Sequence, residues 1–217
     1  MIERPWLVIP MRSWSDGKRR LALCLPDRSR FELNRRFFED LLAQAAEWPG
    51  LDRTLVVSPC DQLLARATAA GAHGLREPAS TPQADTGGSE GLNAALRLAR
   101  DALSGRHAGH MIVVASDLPM ATAHEMRQLY EAACRTDRRA GVALAADRGG
   151  HGTNALCLPL DSQLAFCFGR NSAPGHVRAA KAFGHPVIQV RLEGLALDID
   201  TPRDLEDWRR LLAAAPS

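Results

Sequence analysis

Two patterns of hydrophobic residues alternate along this chain. One is typical of buried strands, and the other is typical of amphipathic helices. Short, almost wholly apolar runs indicate strands that are covered on both faces. These runs lie at residues 6–11, 54–58, 111–116, 141–146, 155–160 and 186–192. Between them apolar residues such as Leu33, Phe37 and Leu41 recur at the spacing of one helix face. The pattern predicts helices at 31–48, 61–70, 92–103, 122–134, 173–184 and 202–213.

The alternation of strands and helices predicts an α/β fold, a three-layer sandwich around a Rossmann-like and mostly parallel sheet. Apart from a short stretch rich in Gly, Ser, Thr and Pro at 78–91, no linker or repeat interrupts the 217 residues. We therefore expect a single domain over residues 1–217. In open sheets of this kind, ligands bind beyond the carboxyl ends of the strands. The residues that follow each strand are the candidates for a functional site.

Composition narrows the class of protein. A hydrophobic content of 46% and a charged content of 24% are ordinary for a globular domain, and a net charge of +2 argues against a nucleic-acid or membrane-surface binder. No apolar run approaches the roughly 18–20 residues of a membrane span. Five widely spaced cysteines without a C-x-x-C pair fit neither a disulfide framework nor a zinc site. We expect a cytoplasmic protein with reduced thiols and with no nucleic-acid or membrane partner.

The segment LALDIDTP, residues 195–202, places two carboxylates at the end of an apolar run. Thr201 and Pro202 are typical of a helix start, and Asp200 could simply add negative charge near the helix dipole. That interpretation leaves Asp198 unexplained. If the segment is a strand, Asp198 and Asp200 lie on one face, where a bound cation or proton would offset the repulsion between them. Solvated aspartates at a strand end are the alternative.

A third aspartate follows another predicted strand. Asp117, in the sequence SDLP, comes at the end of the run at 111–116 and before a proline that ends it. It is either an ordinary turn residue or part of a site at the same edge of the sheet as Asp198 and Asp200. Three carboxylates that converge on one edge form an oxygen-rich site, which suits Mg²⁺ or Mn²⁺.

Two segments could bind a nucleotide. Arg12 and Lys18 follow the first strand, where a triphosphate could lie and where Lys18 could offset the charge on a leaving pyrophosphate. Neither a Walker A loop nor a G-x-G-x-x-G motif is present, and a solvated basic loop is the alternative. The sequence DTGGSEGLN at 85–93 includes Gly91 and Asn93, which could hold a planar base. A plain loop is the alternative there.

The sequence GGHGTNAL at 149–156 offers neutral hydrogen-bonding groups. Its glycines let the backbone approach a ligand closely, and Thr153 and Asn154 supply a hydroxyl and an amide. A substrate could therefore be bound here without a charged partner. The alternative is a hairpin-like turn before the strand at 155–160.

The sequence FGRNSAPGH at 168–176 precedes a predicted helix. Gly169 would allow a close backbone approach, and Ser172 lies at the helix N-terminus, where free N–H groups favour anions. The alternative for Ser172 is a plain N-cap. His176 is expected on the surface of the helix.

Together these motifs resemble the 2-phospho-L-lactate guanylyltransferase family, which acts in the biosynthesis of the deazaflavin coenzyme F-420 and belongs to the MobA-like nucleotidyltransferases. The resemblance spans nearly the whole chain, and the order of the motifs is more specific than any one of them. In chain order they are IPMRS at 9–13, GKRRLA at 17–22, GLNAAL at 91–96, SDLP at 116–119, GTNAL at 152–156, FGRNS at 168–172 with His176, and LALDIDTP at 195–202. The implied fold is the MobA-like, GT-A-like type of α/β sandwich.

The resemblance also implies a role for each matching residue. The catalytic set would be Asp117, Asp198, Asp200 and Lys18, with the three aspartates holding magnesium. The triphosphate and guanine of GTP would lie against Arg12, Lys18, Gly91, Asn93 and the glycines before Asn93. A small phosphorylated acid would be bound by Thr153, Asn154, Gly169, Ser172 and Arg12.

The implied reaction is a nucleotidyl transfer with GTP as substrate and Mg²⁺ as cofactor. A phosphate oxygen of the acid attacks the α-phosphorus of GTP, and pyrophosphate leaves. The acid stays open among 2-phospho-L-lactate, phosphoenolpyruvate and 3-phosphoglycerate, because a pocket separates such similar molecules only weakly. A molybdenum-cofactor nucleotidyltransferase and a non-catalytic nucleotide-binding protein are the alternatives. A homodimer is compatible with the sequence.

Overall fold

Within residues 4–15, 18–78, 89–106 and 109–214, the part of the chain that the computed structural model describes, seven strands form one sheet. The strands are β1 (Trp6–Pro10), β2 (Thr54–Ser58), β3 (His73–Arg76), β4 (His110–Val114), β5 (Val142–Ala146), β6 (Thr153–Pro159) and β7 (Val187–Val190). Their order across the sheet is β3-β2-β1-β4-β6-β5-β7. Strand β6 is antiparallel to both neighbours, and the other adjacent strands are parallel. The predicted mostly parallel sheet is confirmed.

Helices lie on both faces of this sheet. They are α1 (Asp27–Glu47), α2 (Asp61–Ala70), α3 (Ser89–Leu103), α4 (Ala123–Thr136), α5 (Ser172–Ala182), α6 (Glu193–Ala196) and α7 (Pro202–Ala214). Helices α1, α2 and α4 pack on one face, and α3 and α5 pack on the other, which gives the predicted three layers. No helix in the described part of the chain is both long enough and apolar enough to cross a membrane.

The apolar runs of the sequence form strands that are buried on both faces. In β1, Leu7 and Ile9 pack against the α1, α2 and α4 layer, while Trp6 and Val8 pack against the α3 and α5 layer. Successive side chains of a strand point to opposite faces, so a strand covered on both sides is apolar at every position. This requirement accounts for the continuous runs that predict the strands.

The segment that carries Asp198 and Asp200 belongs to no strand, so the condition under which the two aspartates were expected to share a strand face is not met. Helix α6 separates this segment from β7, and the Ile199 backbone N–H donates to the Asp117 carbonyl oxygen at 3.2 Å. The segment therefore binds to the loop after β4 instead of joining the sheet. Burial nevertheless alternates along the segment, because Leu197 and Ile199 are buried while the two aspartates are half-buried.

Besides the two apolar layers on the faces of the sheet, a third apolar cluster joins segments near the beginning and the end of the described chain. Its members come from α1, α7 and two connecting segments, and they are Leu21, Phe37, Leu197, Ile199, Leu205 and Trp208. The rings of Phe37 and Trp208 meet edge to face, with centroids 5.2 Å apart. Leu21 lies in the 3₁₀ turn that follows Lys18. The cluster therefore fixes the segment after Lys18 against the segment that carries Asp198 and Asp200.

We expect Leu21→Ala to lower the free energy of unfolding by about 2–5 kcal/mol, the usual cost of truncating a buried leucine, because Leu21 is fully buried. Leu23 lies in the same turn but is 91% exposed. Leu23→Ala is therefore the matched control and should change the free energy by less than about 0.5 kcal/mol. Urea unfolding followed by circular dichroism measures both. Equal losses in the two variants would contradict the packing described for this turn.

Candidate active site

Two adjoining clefts open at the carboxyl edge of the central strands. The larger has a volume of about 420 Å³ and the smaller a volume of about 290 Å³. Both are lined by Asp117, which follows β4, and by Asp200, which precedes α7. Because ligands of α/β sheets bind at this edge, the shared wall of the two clefts is the centre of the candidate site. We call this shared wall the junction.

A buried lysine joins the two aspartates of the junction. The Lys18 ammonium lies 2.7 Å from Asp117 Oδ2 and 3.6 Å from Asp200 Oδ1. The side chain of Lys18 is only 4% exposed, and a buried ammonium is stable only beside anionic partners. The alternative of a solvated basic loop therefore describes the exposed Arg19 and Arg20 and does not describe Lys18.

Asp198 faces the smaller cleft beside these charges. Its Oδ1 accepts a hydrogen bond from Asn154 Nδ2 at 3.2 Å. Burial raises the pKa of Asp198, and the negative charge of Asp117 raises it further. A cation near these carboxylates would oppose both effects, because it favours their charged forms.

The side chains around the junction fit magnesium in kind, because Mg²⁺ prefers carboxylate oxygens. Among the residues that the structure describes, no group of three or more Asp, Glu, His or Cys side chains is arranged to hold a metal ion. The positive charge that contacts Asp117 and Asp200 is the Lys18 ammonium. Magnesium bound by Asp117, Asp198 and Asp200 therefore stays a prediction.

The larger cleft carries most of the residues predicted to bind a nucleotide. Arg12, Lys18 and Gly91 line it, and a Cβ on Gly91 would lie 3.1 Å from Arg12 Nη2. Glu77, which follows β3, lines the same cleft. Burial raises the pKa of Glu77, and the charge of Arg12 partly offsets this effect. The sequence gives no signal for Glu77, because β3 itself is too short and too polar to be predicted.

Asn93 is placed differently from the other predicted nucleotide contacts. It is not among the described residues that line the two clefts. Its Nδ2 donates to the Phe168 carbonyl at 3.1 Å, and its Oδ1 accepts from the Phe168 N–H at 2.9 Å. Asn93 therefore supports the loop at 168–171 that leads into α5. Gly87 and Gly88, which the sequence also places near the base, lie outside the described residues.

The smaller cleft is lined by four of the five residues predicted to bind the acid, namely Thr153, Asn154, Gly169 and Ser172. Gly169 has a φ of 123°, and a Cβ there would lie 2.6 Å from Ser89 Cβ, so glycine is required. Ser172 is the buried first residue of α5, and the N-cap is Asn171. The interpretation of Ser172 as a plain N-cap is therefore wrong. Its hydroxyl makes no hydrogen bond to a described residue, which leaves it available to a ligand.

Asp147 holds the turn between β5 and β6, which is the hairpin-like turn given above as the alternative for this segment. Its two carboxylate oxygens accept the backbone N–H groups of His151 and Gly152, both at 2.9 Å. Asp147 also lines the smaller cleft. The sequence signal was an aspartate at a strand end before a glycine-rich turn, a residue type that accepts backbone hydrogen bonds in turns.

His176 is fully buried, so its predicted position on the helix surface is wrong. Its Nε2 accepts a hydrogen bond from the Cys167 backbone N–H at 2.9 Å, and its Nδ1 lies 3.0 Å from Thr153 Oγ1. Burial lowers the pKa of His176 to about 4, so the imidazole is neutral at pH 7. The missed signal was the helical spacing of Ser172, His176 and Ala180, which form one buried face of α5.

The fold is that of known nucleotide-dependent transferases. A putative nucleotide-diphospho-sugar transferase from Desulfovibrio desulfuricans aligns over 97% of this chain and 88% of its own, with a TM-score of 0.71 at 16% identity. A CMP:2-keto-3-deoxy-manno-octonic acid synthetase complexed with CTP aligns over 97% of this chain and 98% of its own, with a TM-score of 0.56 at 15% identity. These likenesses define the class of fold, which agrees with the prediction.

Within that class the chain belongs to the guanylyl transferase CofC-like family, whose family model matches residues 6–209. It is 36% identical over 200 residues to the phosphoenolpyruvate guanylyltransferase of Sphaerobacter thermophilus, covering 92% of this chain and 90% of that protein. It is 34% identical over 212 residues to the protein of the same name from Chloroflexus aggregans, covering 96% of each. The family resemblance read from the motifs is confirmed, and the chain is a nucleotidyltransferase.

The buried neutral histidine makes stability depend on pH. The unfolded chain takes up a proton at His176 near pH 6.5, whereas the folded protein does so only near pH 4. This group therefore contributes about 3 kcal/mol of stability above pH 6.5 that is lost as the pH falls to about 4. Urea unfolding at several pH values should show the free-energy difference between the natural protein and His176→Asn shrinking over this window. A difference that is constant from pH 7 to pH 4 would contradict the buried neutral state.

Proposed function

We propose that this enzyme transfers GMP from GTP to the phosphate of a small phosphorylated carboxylic acid and releases pyrophosphate. The observation that carries the proposal is the pair of clefts that meet at Asp117 and Asp200. A transfer between two bound substrates needs two sites with a common wall, because the reacting atoms must come within about 3–3.5 Å of each other. The junction is therefore the proposed place of reaction.

The larger cleft supports the assignment of the nucleotide. Arg12 and Lys18 line it, and together with a cation at Asp117 and Asp200 they would offset the charge of a triphosphate, while Gly91 lets the backbone of α3 approach closely. The names of the relatives from Sphaerobacter and Chloroflexus support guanine as the base.

The smaller cleft supports the assignment of the acid. Thr153, Asn154 and Ser172 offer neutral hydrogen-bonding groups, and its volume of about 290 Å³ suits a molecule smaller than a nucleotide. Phosphoenolpyruvate, 2-phospho-L-lactate and 3-phosphoglycerate all stay in the proposal. The names of the same relatives make phosphoenolpyruvate the first acid to test.

In the proposed reaction an oxygen of the acid's phosphate forms a bond to the α-phosphorus of GTP, and the bond to the leaving pyrophosphate breaks. The attacking oxygen is already an anion, so the step needs no strong general base. Lys18 would offset negative charge at the junction. Asp117, Asp198 and Asp200 would hold Mg²⁺, which when bound offsets charge on phosphoryl oxygens. Correct placement of the two substrates would supply much of the remaining rate enhancement.

The motif resemblance extends the proposal to a pathway. A guanosine joined through a diphosphate to a small acid is the product that the family supplies to coenzyme F-420 biosynthesis. We infer the same role for this enzyme, in the cytoplasm.

Pyrophosphate release with GTP and Mg²⁺ tests the reaction, with the three acids offered in parallel. We expect release with at least one acid, and much slower release when ATP or CTP replaces GTP. Release only with a molybdenum-cofactor precursor would identify the enzyme as a molybdenum-cofactor nucleotidyltransferase instead. Binding of GTP without release from any acid would favour a non-catalytic nucleotide-binding protein and contradict the proposal.

Asp117→Asn tests the junction, because it removes one charge and keeps the size of the side chain. We expect kcat to fall about 100-fold or more. Asp161→Asn is the same change at an exposed position beyond the opposite end of β6, and it should leave kcat within about twofold of the natural value. Thermal unfolding would verify that both variants are folded. A natural kcat in Asp117→Asn would exclude this aspartate from the reaction centre.

A further inference from the structure

We propose that His176 is a positioning residue that makes the Thr153 hydroxyl a hydrogen-bond donor directed into the smaller cleft. The identity of the ligand that receives this bond, the carboxylate of the acid, rests on the proposed function. The direction of the hydroxyl follows from the hydrogen bonds behind it.

These hydrogen bonds fix the tautomer of His176. The backbone N–H of Cys167 can only donate, so the Nε2 atom 2.9 Å away must be the acceptor. A neutral imidazole that accepts at one ring nitrogen carries its proton on the other. The Nδ1–H of His176 therefore donates to Thr153 Oγ1 at 3.0 Å.

The donation from His176 decides what Thr153 can offer a ligand. A hydroxyl has a single hydrogen, and the oxygen of Thr153 is already an acceptor. The hydroxyl hydrogen is thus left to donate elsewhere, and within the described residues Thr153 makes no other side-chain hydrogen bond. Thr153 lines the smaller cleft together with Ser172 and Gly169. The cleft is the open direction for the hydrogen.

A fixed donor of this kind matches an ionised carboxylate, which only accepts hydrogen bonds and accepts them strongly. The same donor would repel a ligand group that can only donate hydrogen bonds. His176 does not touch the ligand in this arrangement. It acts through Thr153, and its edge-to-face contact with Phe168, with centroids 4.7 Å apart, holds the ring in place.

Two variants separate this role from simple packing. In His176→Asn the amide nitrogen takes the place of Nδ1 and still donates to Thr153, but the Cys167 N–H loses its acceptor. In His176→Gln the side-chain carbonyl reaches toward the Cys167 N–H, but the donor to Thr153 is lost. Both variants lose the packing of the imidazole ring. A difference between them therefore reports the hydrogen bonds and not the packing.

We expect His176→Gln to raise the KM for the acid about tenfold, while kcat and the KM for GTP stay within about twofold, because one hydrogen bond to a charged group is weakened. His176→Asn should keep the KM for the acid within about threefold of the natural value. Equal increases in the two variants, or a natural KM in His176→Gln, would overturn the proposal. Melting temperatures of both variants would show whether a change in KM comes from lost stability or from the lost hydrogen-bond donor to Thr153.

Nitrogen-15 NMR of the histidine ring tests the tautomer without any substrate. Long-range proton–nitrogen correlations should show Nδ1–H for His176, with its signals assigned by their absence in His176→Asn. An Nε2–H tautomer would overturn the inference whatever the activity of the enzyme.

The same design separates failure of this inference from failure of the proposed function. An enzyme that binds one of the three acids but releases no pyrophosphate would contradict the proposed reaction alone. The affinities of the two variants for that acid, measured by calorimetry, would then decide the role of His176. Absence of binding of all three acids to the natural protein would overturn both proposals.

Discussion

A buried ammonium group is stable only where negative charges accompany it, and this constraint organises the site. Lys18 satisfies it through Asp117 and Asp200. The loop after β1, the loop after β4 and the segment before α7 must therefore converge at one point. Removing Asp117, the nearer of the two aspartates, would leave the buried Lys18 less compensated, which destabilises the fold. The junction of the two clefts is thus held together by the same charges that the proposed reaction uses.

Apolar packing and a helix cap support these charged segments. Leu21 and Ile199 belong to one buried cluster, which holds the turn after Lys18 against the segment that carries Asp200. Asp204 Oδ2 accepts the backbone N–H groups of Asp200 at 3.1 Å and Thr201 at 2.7 Å. The prediction of a helix start at Thr201 and Pro202 is therefore confirmed, because α7 begins at Pro202. The cap also fixes the backbone of Asp200, so the structural and functional interpretations of LALDIDTP are compatible.

Burial on both faces of the sheet made most of the fold predictable, since it requires apolar residues at every strand position. All six predicted runs form strands, whereas the exposed edge strand β3 and the polar first turn of α1, DRSR, carry no such pattern. In the candidate site, Asp117 and Thr153 could be predicted because they are polar residues that follow predicted strands. The burial of Lys18 was not predictable, because its partner Asp117 lies 99 residues away. Spacing within one segment carries no information about such distant partners.

The distribution of charge also limits how an acid can lie in the proposed reaction. Lys18 stands at the junction, paired with Asp117 and Asp200, whereas the described wall of the smaller cleft has aspartates and neutral donors but no basic residue. A phosphorylated acid carries most of its charge on the phosphate, so a cation held by the aspartates of the junction, as proposed, would favour the phosphate there and the carboxylate near Thr153. A charged imidazole behind Thr153 would attract the phosphate and weaken that preference. Because burial keeps the pKa of His176 at about 4, the ring stays neutral near pH 7 and does not compete with the junction for the phosphate of the proposed reaction.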